Sequence, residues 1–187
     1  MSIKLICAHQ KIVKDSHHFD CVTMEEAVDY LSKQTILGVD TETEGMDFTR
    51  KRIVMFQIGT KDVQYVIDTR FQSIEPLLSI LENPNIVKIF HNIKFDYKFL
   101  KHWYNTDIKN PYDTMLAECV LNCGKSRVGY SLNALTQRYL SKELNKAGAN
   151  TTGYKGLRRR LTQTADEVLS DADFRQQLWM VGHKKDV

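Results

Sequence analysis

An α/β domain, with a sheet flanked by helices, is the fold class this sequence predicts. Three observations carry it: short β-branched and aromatic runs at 36–40, 53–59 and 63–68, amphipathic helical stretches on either side of them, and a helix-strand-helix alternation from Ser73 to Trp103.

Taken in chain order, Thr23 stands before Met24-Glu25-Glu26-Ala27-Val28-Asp29-Tyr30-Leu31, a hydroxyl at an N-cap with acids in the first turn, which predicts a helix. Ile36-Leu37-Gly38-Val39-Asp40 is an apolar run ending in acid, Ile53-Val54-Met55-Phe56-Gln57-Ile58-Gly59 is closed by glycine, and Val63-Gln64-Tyr65-Val66-Ile67-Asp68 follows a short polar link. The three read as a meander whose first strand is the most buried. A helix through Leu77, Leu78, Ile80 and Leu81 stops at Asn83-Pro84-Asn85, and Ile86 to Phe90 reads as the next strand. Asn92 is placed to cap a further helix, whose apolar positions Phe95, Phe99, Leu100 and Trp103 share one face at helical spacing. More helices are expected over Asp113 to Leu121, over Ser131 to Leu140 and from about Thr164 onward, with Gly148 to Gly156 as a loop. The 187 residues, 42% hydrophobic and 26% charged, suit one soluble domain with its own core.

Composition excludes several classes. No stretch has the length of a membrane span and the N-terminus lacks a signal-peptide apolar region, so a soluble intracellular protein is expected. Four cysteines are too few for a disulfide scaffold, and the helical pair Cys119 and Cys123 reads as buried thiols rather than as a zinc site. Net charge is only +3, but nine basic residues between Lys125 and Arg160 face the single acid Glu143. That segment suits a phosphate backbone, and equally a solvated loop and helix face.

Two constellations carry chemistry. Asp40-Thr41-Glu42 puts two carboxylates on one face of a strand end, where they can share a hard divalent cation. His91-Asn92-Ile93-Lys94-Phe95-Asp96 follows a strand directly, and Asp96 lies one helical turn beyond Asn92 on the same edge. Each alone also reads as a capping or solvated acid.

In combination these motifs resemble the DEDD family of 3′→5′ exonucleases, most closely the proofreading domain of bacterial and phage family A DNA polymerases. Asp-x-Glu is matched at Asp40 and Glu42, and the Asn-x-x-x-Phe/Tyr-Asp pattern ends at Asp96. Tyr112-Asp113-Thr114-Met115-Leu116-Ala117 and Ser131 to Leu140 look like further family helices, so the likeness spans about Gly38 to Lys146. It implies a ribonuclease H-like fold with a mixed five-stranded sheet, and hydrolysis of a DNA 3′ end, single-stranded or frayed, with two Mg2+ or Mn2+ ions and a DNA polymerase as a partner. It further implies Asp40 as the bridging ligand, Glu42 and Asp96 as the others, Thr41, Asn92 and Phe95 against substrate, and Asp113 as an N-cap near the site. The basic run Arg158, Arg159 and Arg160 is expected to hold the strand's backbone.

The family's fourth acid is expected at Asp186, with Asp171 and Asp173 as alternatives. The pattern departs here: Gly182 and Val181 stand where the family has a tyrosine or a histidine, and His183 is the remaining water-orienting candidate. Two rival readings follow, an impaired nucleic-acid binding module on the same fold and an RNase D-like exoribonuclease.

Overall fold

The structure is a computed structural model and describes residues 2–6, 20–123, 125 and 128–143. Within them a mixed sheet of seven strands is flanked by five α-helices, the α/β class expected. The strands are β1 (Ser2–Ile6), β2 (Asp20–Cys21), β3 (Ile36–Thr43), β4 (Ile53–Gly59), β5 (Val63–Asp68), β6 (Val87–Phe90) and β7 (Pro111–Asp113). They lie side by side in the order β2-β1-β5-β4-β3-β6-β7. The resemblance implied five strands and the sequence named four of them, β3 to β6; β1 and the two short edge strands β2 and β7 were not foreseen.

The meander β3-β4-β5 pairs antiparallel throughout, while β1, β2, β6 and β7 add parallel neighbours. The most buried strand is β4 rather than β3. It lies at the middle of the sheet and is buried at every position, whereas β3 starts at exposed Ile36 and then alternates between buried and half-buried residues. That alternation places Leu37, Val39, Thr41 and Thr43 on one face and Gly38, Asp40 and Glu42 on the other.

Helix α1 (Met24–Ser32) begins as its sequence dictates. Thr23 Oγ1 accepts from Glu26 N at 3.2 Å and Glu26 Oε2 accepts from Thr23 N at 3.2 Å, a reciprocal box that satisfies two orphan donors. Its buried face of Met24, Ala27 and Leu31 joins Leu37, Phe56, Ile58 and Ile67 of the sheet, Leu77 and Leu81 around α2 (Leu78–Leu81), and Phe99 and Leu100 of α3 (Ile93–Tyr104) in one core. Full burial of each such side chain contributes about 1.5–3 kcal/mol. The apolar face of α3 is narrower than its periodicity suggests. Phe99 and Leu100 are buried, Phe95 is half-buried, and Trp103 is 37% exposed.

Helix α4 (Thr114–Leu121) is capped by Asp113, as expected, and α5 (Leu132–Leu140) by Ser131. The two helices are tied by buried Glu118, which accepts from Tyr139 Oη at 2.6 Å, from Asn122 Nδ2 at 2.6 Å and from the Arg138 guanidinium. The Tyr139 hydroxyl, aided by Arg138, holds that carboxyl below its ordinary range. The paired thiols are less buried than expected, Cys119 partly and Cys123 exposed, and neither is in a disulfide. Among the described residues no helix is long and apolar enough to cross a membrane. Arg158 to Arg160, Asp171, Asp173, His183 and Asp186, with the loop and helix expected there, lie outside the described residues.

Candidate active site

The site is built where β3 outruns its parallel neighbour. β6 pairs with β3 only over Ile36 to Gly38, and the chain then leaves β6 at Phe90 to enter α3. Beyond that point Asp96 of α3 takes the place of a strand. Its Oδ1 accepts the Thr41 backbone N–H at 3.0 Å and the Thr41 hydroxyl at 2.6 Å. A backbone donor that would be costly to leave unmade in the interior is thereby satisfied, and Asp96 is fixed against the strand that carries Asp40 and Glu42.

The electrostatics follow from that placement. Asp96 is only 4% exposed. Burial pushes its carboxyl up to about 7, with the neighbouring negative charge of Asp40 adding to the rise, and the hydrogen bonds from Thr41 offset part of it. Asp40 and Glu42 share a face of β3, two residues and so roughly 6.7 Å apart along the strand. Among the described residues no three His, Cys, Asp or Glu side chains converge as a metal-holding group by themselves. Asp40, Glu42 and Asp96 offer hard carboxylate oxygens as donors. That set suits Mg2+ or Mn2+, which take few protein ligands and leave the remaining positions to water and phosphate.

The entry to α3 is held by a residue from another strand. Asn92 adopts a left-handed conformation, φ 67°, and its side chain makes no capping bond, contrary to the expectation from its position. The cap comes instead from Asp113 at the end of β7, beside Phe90 in the parallel ladder. One carboxylate oxygen of Asp113 accepts from Asn92 N at 3.0 Å and the other from Ile93 N at 2.9 Å, while Oδ1 also takes Met115 N at 2.8 Å. Burial opposes the charge, but four backbone N–H donors outweigh it and hold the Asp113 carboxyl below its usual value. One carboxylate thus serves the N-termini of α3 and α4 together. Next to it the Thr114 hydroxyl donates to Phe90 O at 3.1 Å, which leaves His91 Nδ1 as the donor in its 2.9 Å bond to Thr114 Oγ1.

Beside Asn92 a pocket of about 320 Å3 opens between α3 and the loop joining β3 to β4, lined among others by Met46, Phe48, Asn92, Lys94, Phe95 and Lys98. Met46 is 81% exposed at its rim. Asn92 and Phe95, expected against substrate, line this pocket, and Met46 and Phe48, for which nothing was expected, line it with them. Their signal was two large apolar residues in an otherwise polar loop, Glu44 to Arg52.

With this geometry in place, comparison with known proteins decides the family. Residues 17–164 match the 3′-5′ exonuclease family, extending at both ends beyond the Gly38 to Lys146 stretch that carries the motifs. The chain belongs to this 3′-5′ exonuclease family. Its relatives include DNA polymerase I of Borreliella burgdorferi, 28% identical over 130 residues, or 64% of this chain and 14% of that protein. They also include ribonuclease D of Gluconacetobacter diazotrophicus, 27% identical over 124 residues, or 62% of this chain and 30% of that protein. Among solved structures, Mg2+-bound NrnC of Brucella melitensis superposes with a TM-score of 0.57 at 20% identity, covering 99% of this chain and 86% of that one. The chain spans between 10% and 34% of the length of relatives such as these. Its sheet and helices are those of the ribonuclease H-like exonuclease fold.

Proposed function

We propose that this domain removes nucleotides from the 3′ end of a DNA strand by hydrolysis of the terminal phosphodiester, releasing nucleoside monophosphates. The observation that carries the reading is Asp96, buried beside Asp40 at the edge of β3 and pinned by two donors from Thr41. The negative charge of Asp40 raises the Asp96 pKa, and a divalent cation shared by the two carboxylates would relieve that repulsion. Asp40, Glu42 and Asp96 would hold two Mg2+ or Mn2+ ions, with Asp186 as the fourth acid. When bound, such ions supply Lewis-acid stabilisation of the charge on the phosphoryl group. Thr41 keeps Asp96 in register with Asp40. Asn92 and Phe95 meet the terminal nucleotide, whose base enters the pocket under Met46 and Phe48. Lys94 and Lys98, on the same pocket wall, balance the phosphate charge. Arg158, Arg159 and Arg160 hold the backbone farther along, and His183 stands in for the missing tyrosine or histidine.

The similarity to a DNA polymerase and to a ribonuclease D is nearly equal, 28% and 27%. RNA is therefore the second reading of the substrate, and a partner polymerase belongs to the first. Incubation of 5′-labelled single strands of one sequence, as DNA and as RNA, with the protein and Mg2+ tests both. A ladder of shortening products on DNA, faster than on RNA, supports the proposal. A ladder on RNA alone transfers it to the ribonuclease reading, and no ladder on either supports a binding module.

A further inference from the structure

Away from the carboxylates, a second surface runs along the outer side of α3 and the loop that follows β3. Lys94, Lys98 and His102 recur every four residues, so they share one exposed helix face and extend about 12 Å from the first turn. Phe48 lies against this face, with Lys98 Nζ 5.6 Å from its ring centre and the His102 ring 5.7 Å away edge-on. At the far end the Trp103 ring meets His102 at 5.0 Å, its Nε1–H donates to Lys51 O at 2.8 Å, and the Arg52 guanidinium sits 5.3 Å from its centre. Arg50, Lys51 and Arg52 are all exposed.

The loop's two acids are already engaged. Glu44 Oε2 accepts from Arg52 N at 3.0 Å, and Asp47 Oδ1 accepts from Thr49 N at 3.1 Å and from its hydroxyl at 2.7 Å. The remaining character of the surface is aromatic and cationic. An apolar core would not set Lys98 over Phe48 and Arg52 over Trp103, with Arg50, 3.7 Å from Asp47, and Lys51 exposed beside them. A merely solvated face would not hold Trp103 at the surface in a fixed orientation through its ring N–H. Rings alternating with cations are what a single-stranded nucleic acid requires, bases against the rings and phosphates against the cations.

We infer that His102, Trp103 and the basic run Arg50-Lys51-Arg52 form a binding site for the single-stranded nucleic acid segment that precedes the terminal nucleotide. The inference rests on the exonuclease reading only for where the 3′ end lies, in the pocket beside Asn92 with which this surface is continuous through Phe48 and Lys98. The site gives the exonuclease a preference for strands several nucleotides long over dinucleotides. Stacking and charge, not base-edge hydrogen bonds, supply the contacts, so it tolerates any sequence and accepts DNA and RNA.

The test measures binding without hydrolysis, in EDTA, using a fluorescein-labelled thymidine dinucleotide and twelve-nucleotide strands of thymidine and of uridine. The variants are Arg50→Ala/Lys51→Ala/Arg52→Ala, Trp103→Ala and, as a ring-preserving control, Trp103→Phe. The triple variant is expected to weaken binding of both long strands about tenfold or more and to lower the slope of log K against log salt by about 2, from about 0.7 per lost phosphate contact. Trp103→Ala weakens the long strands about tenfold with the slope unchanged, Trp103→Phe recovers most of that loss, and dinucleotide affinity stays at the wild-type value throughout. Unchanged binding of the long strands, or an equal loss for both lengths, overturns the inference. A loss on only one of the two long strands confines the site to that nucleic acid and overturns its indifference to the sugar. Unchanged melting temperatures exclude misfolding as the cause. The exonuclease reading fails separately: if the wild-type protein shortens no strand in Mg2+ while the length-dependent loss persists, the binding site stands and the hydrolysis does not.

Discussion

Asp96 receives both hydrogen-bond donors of Thr41, backbone and hydroxyl, on a single carboxylate oxygen. The contact joins residues 55 positions apart in the chain and sets the distance between the helix acid and the strand acids. Thr41→Val keeps the shape and removes the hydroxyl donor. Because that bond lowers the Asp96 pKa, its loss moves the carboxyl further up and weakens metal binding, with a 10–100-fold fall in activity, the usual cost of losing a residue that orients a ligand. Thr41→Ser should restore most of it. Mn2+ titration of the three proteins, followed calorimetrically, checks the order.

Burial of Asp96 also fixes a pH dependence. Its folded pKa, about 7, lies above the unfolded value of 3.8. Between the two the folded chain retains a proton that the unfolded chain has lost, so this group's contribution to stability falls as pH rises from about 4 and is fully lost above about 7. Asp96→Asn removes that penalty and keeps an acceptor for Thr41. Without metal it should be more stable than wild type near pH 8, by on the order of 2–4 kcal/mol, with no gain near pH 4. Denaturant melts in EDTA at the two pH values measure it, and equal stabilities near pH 8 would refute the assigned burial.

Asp113→Ala should destabilise the fold by about 2–4 kcal/mol, since it strips acceptors from the N-termini of α3 and α4 at once, each cap being worth about 1–2 kcal/mol. Its pKa is depressed, so the stabilisation is present above the ordinary aspartate value and is lost as pH falls through the lower folded value. Urea melts of wild type and variant should therefore converge in acid.

Much of this was legible from the sequence, and the rest was not for definite reasons. Strands β3 to β5 declare themselves because dense β-branched and aromatic runs have few other packed solutions, and the Thr23 box is purely local. β2 and β7 are two and three residues long, with Pro111 opening the latter, and exist only through partners distant in the chain. Asn92 has the sequence of a cap but not the role, because Asp113, 21 residues away, reaches the same donors. The motifs single out Asp40, Glu42 and Asp96, and the structure brings Asp96 against the strand that carries the other two. That Thr41 would bury and orient Asp96 could not be read from them, since a strand residue between two acids gives no sign of which helix will meet it.

The fourth acid is open to a direct comparison. Asp186→Asn should cost activity on a labelled strand comparably to Asp40→Ala if Asp186 completes the site, as removal of one anionic ligand weakens the metal. His183→Ala alongside it should slow hydrolysis if that histidine orients water, and a silent Asp186→Asn means that Asp171 or Asp173 completes the site or that nothing does, which favours the binding module.

The most direct measurement of the central claim is a single-turnover digestion of 5′-labelled single-stranded DNA in Mg2+ by wild-type protein and by Asp40→Asn, with melting curves taken on the same samples. Wild type should give a ladder of shortening products that is lost in EDTA, and Asp40→Asn should react at least about a thousandfold more slowly with an unchanged or higher melting temperature, the scale on which metal-dependent transition-state stabilisation operates. A ladder of equal rate from Asp40→Asn would contradict that claim.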